Sequence, residues 1–183
     1  FGTEGGQLNL DDQLLASPNR VRLGPWAVQR DPRGPNRPGV PGREALLPMT
    51  GSVADVQRKL FAAFQFDEPV HIHGNSVVAN ANIDHLGRLS SSSVIAVECN
   101  EQLSREFLFG GFVQNQETGQ FEQLEGAVWE AQRDGATLVI RNANRLPEEL
   151  LAELAEIAAS GQVTRTGEVQ ARAFRLVVQT SSV

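Results

Sequence analysis

Lysine is nearly absent from this chain: of its 16 basic residues only Lys59 is a lysine, and the rest are arginines. Cysteine is as scarce, and a lone Cys99 excludes an internal disulfide framework and points to an intracellular, reducing compartment. No stretch approaches the ~18 consecutive apolar residues of a membrane-crossing helix. A basic excess is missing too: net charge is -6 and the pI is near 5.1, which gives no global drive toward nucleic acid or acidic membranes. The start, Phe1-Gly2-Thr3-Glu4, has neither an initiator Met nor the apolar core of a signal peptide, so the chain reads as cut from something longer or trimmed to its ordered part.

What is present suits one α/β domain. The 183 residues are 40% hydrophobic, enough to bury a core. Residues 1–19 read as an N-terminal extension, 20–50 as an edge strand with an Arg/Pro/Gly-rich loop, and 51–183 as the α/β core. Val21 to Gln29 reads as one strand around Trp26, with Gly24-Pro25 fitting an edge or a bulge. Ser52 starts a helix, with Asp55 three residues on as in a capping box and Val53, Val56, Leu60, Ala63 and Phe64 on one face. Strands follow at Pro69–Gly74, Val94–Glu98, Thr137–Ile140 and Phe174–Gln179. Helices are expected over Val77–Leu89, Gln123–Arg133 and Pro147–Ala159, and a local hairpin near Val163–Val169. Strands alternating with helices predict a mostly parallel sheet covered on both faces, with ligands beyond the C-terminal strand ends.

The scarcity of lysine bears on chemistry at one turn. A phosphate-binding loop has the form G-x-x-x-x-G-K-[ST]. In His73-Gly74-Asn75-Ser76-Val77-Val78-Ala79-Asn80-Ala81, Gly74 fits the first position. Ala79 then stands for the second Gly, Asn80 for the Lys, and Ala81 for the hydroxyl that holds magnesium. At the end of the strand Leu138-Val139-Ile140, Arg141 takes the place of a metal-binding Asp and Asn142 that of a water-orienting Glu. A cation cannot ligate magnesium, so both residues read as solvated strand-end groups. Gly74 still precedes a helix N-terminus, which leaves weak ATP or phosphate binding open.

Several segments carry a family likeness. Leu23-Gly24-Pro25-Trp26-Ala27-Val28, the helix region 47–66, Glu68-Pro69-Val70-His71-Ile72-His73-Gly74, Phe107-Leu108-Phe109-Gly110-Gly111-Phe112, Gly126 to Gly135, Thr137 to Asn144 and Phe174-Arg175-Leu176 follow one another as in the AAA+ superfamily. In order and spacing they resemble its dynein-related branch, which includes midasin, a ribosome-assembly ATPase. The likeness covers residues 20–183 and ends before a fifth core strand and helical lid. It implies a P-loop-type sheet of the AAA+ large subdomain, without the lid, and a place in a ring. Neighbouring AAA+ modules or other subunits would be its partners. A midasin-like member would sit in the nucleus or nucleolus, in large-subunit biogenesis near rRNA. Ser181 stands where the family has a sensor Asn. The departures fall at the catalytic positions, so no catalytic residue is carried over and no resident cofactor is expected.

Other residues fit blander roles. His71 and His73 share one strand face, but a metal pair needs a further ligand such as Cys99 or His85, so core or interface histidines are the expectation and no metal site is assigned. Cys99 reads as a small buried residue. Arg30, Arg33, Arg37 and Arg43 lie on a Pro/Gly tether that could contact rRNA phosphate or an acidic protein face, although it carries no aromatic for base stacking. The functional readings are therefore a catalytically silent AAA+ module with a structural or docking role, a weakly nucleotide-binding ATPase module, or an RNA- or protein-binding module that uses the Arg-rich loop.

Overall fold

The computed structural model describes residues 14–16, 20–23, 25–30, 51–90, 92–160 and 174–181. Its centre is a parallel four-stranded sheet of β4 (Val70–His73), β9 (Arg175–Thr180), β8 (Thr137–Arg141) and β5 (Val94–Glu98), in that order. The inner strands β8 and β9 are near-continuous apolar runs, as strands buried on both faces require. Mixed α/β architecture with a parallel sheet between helices is thus the fold that the alternating pattern predicts.

On one face lie α1 (Gly51–Phe66) and α2 (Ser76–Ser90). Leu60, Phe61 and Phe64 of α1 and Ile83, Leu86 and Leu89 of α2 close over Val139 and Val177 of the sheet. Helix α1 begins at Gly51, and Asp55 pairs with Arg58 at 3.4 Å where a capping box was expected. It stops at Asp67, whose φ of 54° ends the helical path, and Glu68 N–H returns to the Ala63 carbonyl at 3.0 Å. Arg175, at the start of β9, donates to Asp67 at 3.2 Å and lies 5.0 Å over the Phe64 ring, tying the last strand to the end of α1.

A second sheet covers α1 and α2 from outside. The expected single strand over Val21–Gln29 is two strands, β2 (Arg20–Leu23) and β3 (Trp26–Gln29), paired antiparallel with Leu23 opposite Trp26. Pro25 therefore lies in the turn between them. Strand β1 (Leu14–Ala16) pairs with β2, so this sheet reaches back into the segment read as an extension. Val21, Leu23 and Val28 are buried among the α1 and α2 side chains, and Trp26 meets Phe66 edge-on at 6.5 Å.

The opposite face of the parallel sheet carries α3 (Arg105–Phe109), α4 (Ala127–Asp134) and α5 (Glu148–Ser160). Leu108, Val128, Ala131 and Leu154 pack there on Leu138, Ile140 and Leu176. The expected helix over Gln123–Arg133 is corrected at its first turn. Phe121–Leu124 is strand β7, paired antiparallel with β6 (Gly111–Gln114), and the helix begins only after Gly126. The Val163–Val169 hairpin lies outside the described residues. No helix among the described residues is long and apolar enough to cross a membrane.

Candidate functional site

Parallel strands bring Gly74, Glu98, Arg141 and Thr180 to one edge of the sheet, where a ligand site is expected. Gly74 holds φ at 136° and donates its N–H to the Thr180 carbonyl at 3.0 Å, a conformation that favours glycine. The loop after it is short. Helix α2 starts at Ser76, so Ala79, Asn80 and Ala81 are already helical. Ala79 N–H, for example, donates to the Asn75 carbonyl at 3.0 Å. The helix expected from Val77 is thus present and begins one residue earlier, after the Asn75 N-cap.

The first free amides of that helix have an internal partner. Asn75 Oδ1 accepts from Val77 N–H at 2.9 Å and from Val78 N–H at 3.3 Å. An anion at a helix N-terminus would use the same donors. Around them the surface is apolar, since Val77 is 74% exposed and Val78 is also exposed.

The strand ends form a second cluster. Asn142, at φ 53°, donates its backbone N–H to Gln179 Oε1 at 3.1 Å and its side-chain amide to Glu98 Oε1. Ser181 Oγ donates to Asn142 Oδ1 at 3.1 Å. Asn142 therefore links the ends of β5 and β9 across β8, and it is half-buried. The expectation of a solvated strand-end residue is corrected, since three neighbours engage it. Asn tolerates the left-handed backbone that this geometry needs. Arg141 is half-buried as well, with its Nε inaccessible and without a hydrogen bond. Gln179 is 0% exposed, and its Nε2 has no hydrogen-bond partner. Arg141 and Gln179 follow the paired residues Ile140 and Val178 on adjacent strands.

The histidines separate. His71 Nε2 and His73 Nδ1 both meet Thr180 Oγ1, at 2.8 and 3.0 Å, on the exposed face of the edge strand β4. Their shared face follows from strand alternation. His85 is instead buried in α2, where burial first and then Arg88 depress its pKa to about 4. Cys99 is buried, and desolvation together with the Glu98 carboxylate pushes its thiol up to about 11, leaving no thiolate for nucleophilic attack near neutrality. No group of three His, Cys, Asp or Glu among the described residues could hold a metal ion.

Of the four tether arginines, Arg33, Arg37 and Arg43 lie outside the described residues. Arg30 sits just after β3 and is only 7% exposed, which withdraws it from the outward-facing guanidiniums expected there. The sequence places Glu98 and Gln179 at C-terminal strand ends, as found, but only the strand order shows that both meet Asn142. Sequence reading missed the β6–β7 hairpin, for which Asn115 and Gly119 between two short runs are the available turn signals.

The strand order, the parallel register and the helices on both faces define a mixed α/β fold with a parallel sheet of the P-loop type. Among 141 matching solved chains is a "putative ATPase" from Cytophaga hutchinsonii. It superposes with a TM-score of 0.51 at 18% identity over 70% of this chain, which in turn spans 38% of that protein. At that identity the likeness speaks for the fold alone. No family model and no curated protein matches the chain.

Proposed function

We propose that this chain is a catalytically silent AAA+ module that serves as a structural or docking element of a larger, ring-shaped assembly. The observation that carries the reading is the Asn75 cap. The helix amides that would receive a phosphate are held by a side chain of the protein. Three further substitutions point the same way: Asn80 for the lysine, Arg141 for the metal-binding carboxylate and Asn142 for the water-orienting one. The finer placement, in the midasin-type branch and in nuclear or nucleolar ribosome assembly with neighbouring AAA+ modules and rRNA as partners, rests on the sequence resemblance. A fluorescent ATP analogue titrated into the protein with magnesium tests the silent site. The expected result is no saturable binding and no phosphate release above a protein-free blank. Micromolar, magnesium-dependent affinity overturns the proposal.

One observation favours a second reading, a weakly nucleotide-binding module. Arg141 Nε and Gln179 Nε2 are inaccessible donors without a hydrogen bond at the ligand-binding edge. Under that reading, Arg141→Ala abolishes whatever nucleotide affinity the titration detects.

A further inference from the structure

The β6–β7 hairpin departs from the burial logic of the rest of the molecule. In its register Phe112 lies opposite Gln123 and Gln114 opposite Phe121, so these four residues occupy one face. Phe112 is 66% and Phe121 71% exposed. The other face is Gly111, Val113, Glu122 and Leu124, and its base turns toward the body, where Gly111 and Leu124 are half-buried. Two phenylalanines on an outward strand face are a recognition signal when something holds them in place.

Here the hold is tight at both ends. At the base, a Cβ on Gly126 would meet Gly110 N at 2.1 Å and Leu108 O at 2.5 Å, so the start of α4 is locked against the end of α3. At the tip, Asn115 N–H donates to Gln120 O at 2.8 Å and Gly119 N–H to Asn115 O at 2.8 Å. Asn115 Oδ1 also caps Glu117 N–H at 2.9 Å, and its amide donates to Glu122 at 2.8 Å. The aromatic face is thus presented already ordered, which lowers the entropic cost of binding.

Charge selects the occupant. From residue 106 to 132 the chain carries Glu106, Glu117, Glu122, Glu125 and Glu130 and not one Lys or Arg. The flanking cations are engaged: Arg105 with Glu153, and Arg133 with Glu125 and Asp134. Glu122 lies on the hairpin face opposite the phenylalanines and Glu125 is paired with Arg133, yet the segment as a whole stays negative. A negative field repels phosphate backbones, anionic bilayers and a second copy of the same hairpin. It attracts arginine and lysine.

We propose that the β6–β7 hairpin docks a basic polypeptide segment whose apolar side chains cover Phe112 and Phe121 while its cations face the glutamates. This names a partner chemistry for the docking role above and rests on that reading for its setting. The nucleotide titration tests the silent site and a peptide titration tests the hairpin, so either can fail alone.

The test is fluorescence anisotropy of the full chain with two labelled amphipathic peptides, one with leucines opposite lysines and the other with glutamates replacing the lysines. The lysine peptide saturates and the glutamate peptide does not. Binding weakens as salt shortens the screening length below about 10 Å. Phe112→Ser with Phe121→Ser lowers affinity about tenfold or more, as expected for aromatic anchors. Glu117→Gln with Glu122→Gln, which keeps the hydrogen-bond acceptor at 122, weakens binding and flattens its salt dependence. The proposal is overturned if the lysine peptide does not saturate, if both peptides bind alike, or if the double Phe variant binds unchanged. A dimer seen by sedimentation and abolished by that variant also overturns it, because the face then belongs to a second copy.

Discussion

Gly126 occupies the N-cap of α4, a position where Ser, Asp or Asn would normally supply a side-chain acceptor. Its φ of -80° and ψ of 154° are open to any residue, so backbone conformation does not demand glycine. Space does. A Cβ at this position would lie 2.1 Å from Gly110 N, 2.4 Å from Phe109 C and 2.5 Å from Leu108 O, all backbone atoms that no rotamer change can move aside. Gly126→Ala must therefore separate α3 from α4 at the root of the hairpin. Overpacking of this kind costs about 3 kcal/mol, the upper part of its usual range, because the obstacle is main chain. For a domain of this size, about 3 kcal/mol lowers Tm by ~6–12 °C. Gly51→Ala is the control, since nothing lies within 4 Å of its Cβ, and it should leave Tm unchanged or slightly raised. Calorimetry reads both, and hydrogen exchange should show faster exchange at the amides of 111–124 in the Gly126 variant alone. A Gly126→Ala protein that melts within about 1 °C of the parent, a shift worth under 1 kcal/mol, refutes the steric argument.

Three further outcomes follow from the strand ends and the buried titratable groups. Asn142→Ala removes the link between Glu98 and Ser181 and places a Cβ-bearing residue with no local hydrogen bond at φ 53°; it should cost about 2–3 kcal/mol, and Asn142→Gly should cost less because it relieves the backbone term, as urea melts would show. His85 has its pKa lowered from 6.5 to about 4 in the folded state, so the unfolded chain binds more protons between those values. Stability is then constant above about pH 7 and falls as the pH drops through 6.5 toward 4, by about 2 kcal/mol between pH 7.5 and 5; a His85→Gln protein should lose that part of the slope, and an unchanged slope would remove His85 as its source. Cys99, with its thiol near 11 and its side chain buried, should resist iodoacetamide at pH 8 in the native protein and react at once in urea; rapid native labelling would contradict the burial.

Much of the core was legible because its signals are local. The run Leu138-Val139-Ile140 reads as a strand buried on both faces, and the apolar spacing of Leu150, Leu151, Leu154 and Ile157 reads as a helix lying on it. Failures came where a local signal competed with a stronger constraint. Gln123 and Leu124 continue the helical spacing of Ala127, Val128 and Ala131, but cross-strand pairing with Gly111 and Phe112 claims them for β7. At the candidate site, the match of Gly74 to the phosphate-loop pattern drew attention away from Asn75, whose capping side chain decides where the helix begins. The hydrogen-bond network that joins Glu98, Asn142, Gln179 and Ser181 was not readable, although all four are recognisable as C-terminal strand-end residues. It exists because β8 lies between β5 and β9, and strand order is a property of the packed sheet, not of any one segment.

That order has a consequence for how the molecule assembles. Among the described residues β9 is the last strand in chain order, an inner one and the only bridge between β4 and β8. Its hydroxyl at Thr180 meets His73, 107 residues earlier in the chain. During synthesis β4 has no sheet to join until residues 175–180 leave the ribosome, so α1 and α2 must wait with their apolar faces uncovered on the sheet side. Closure over so long a loop is slow, and the waiting state is the one most exposed to aggregation.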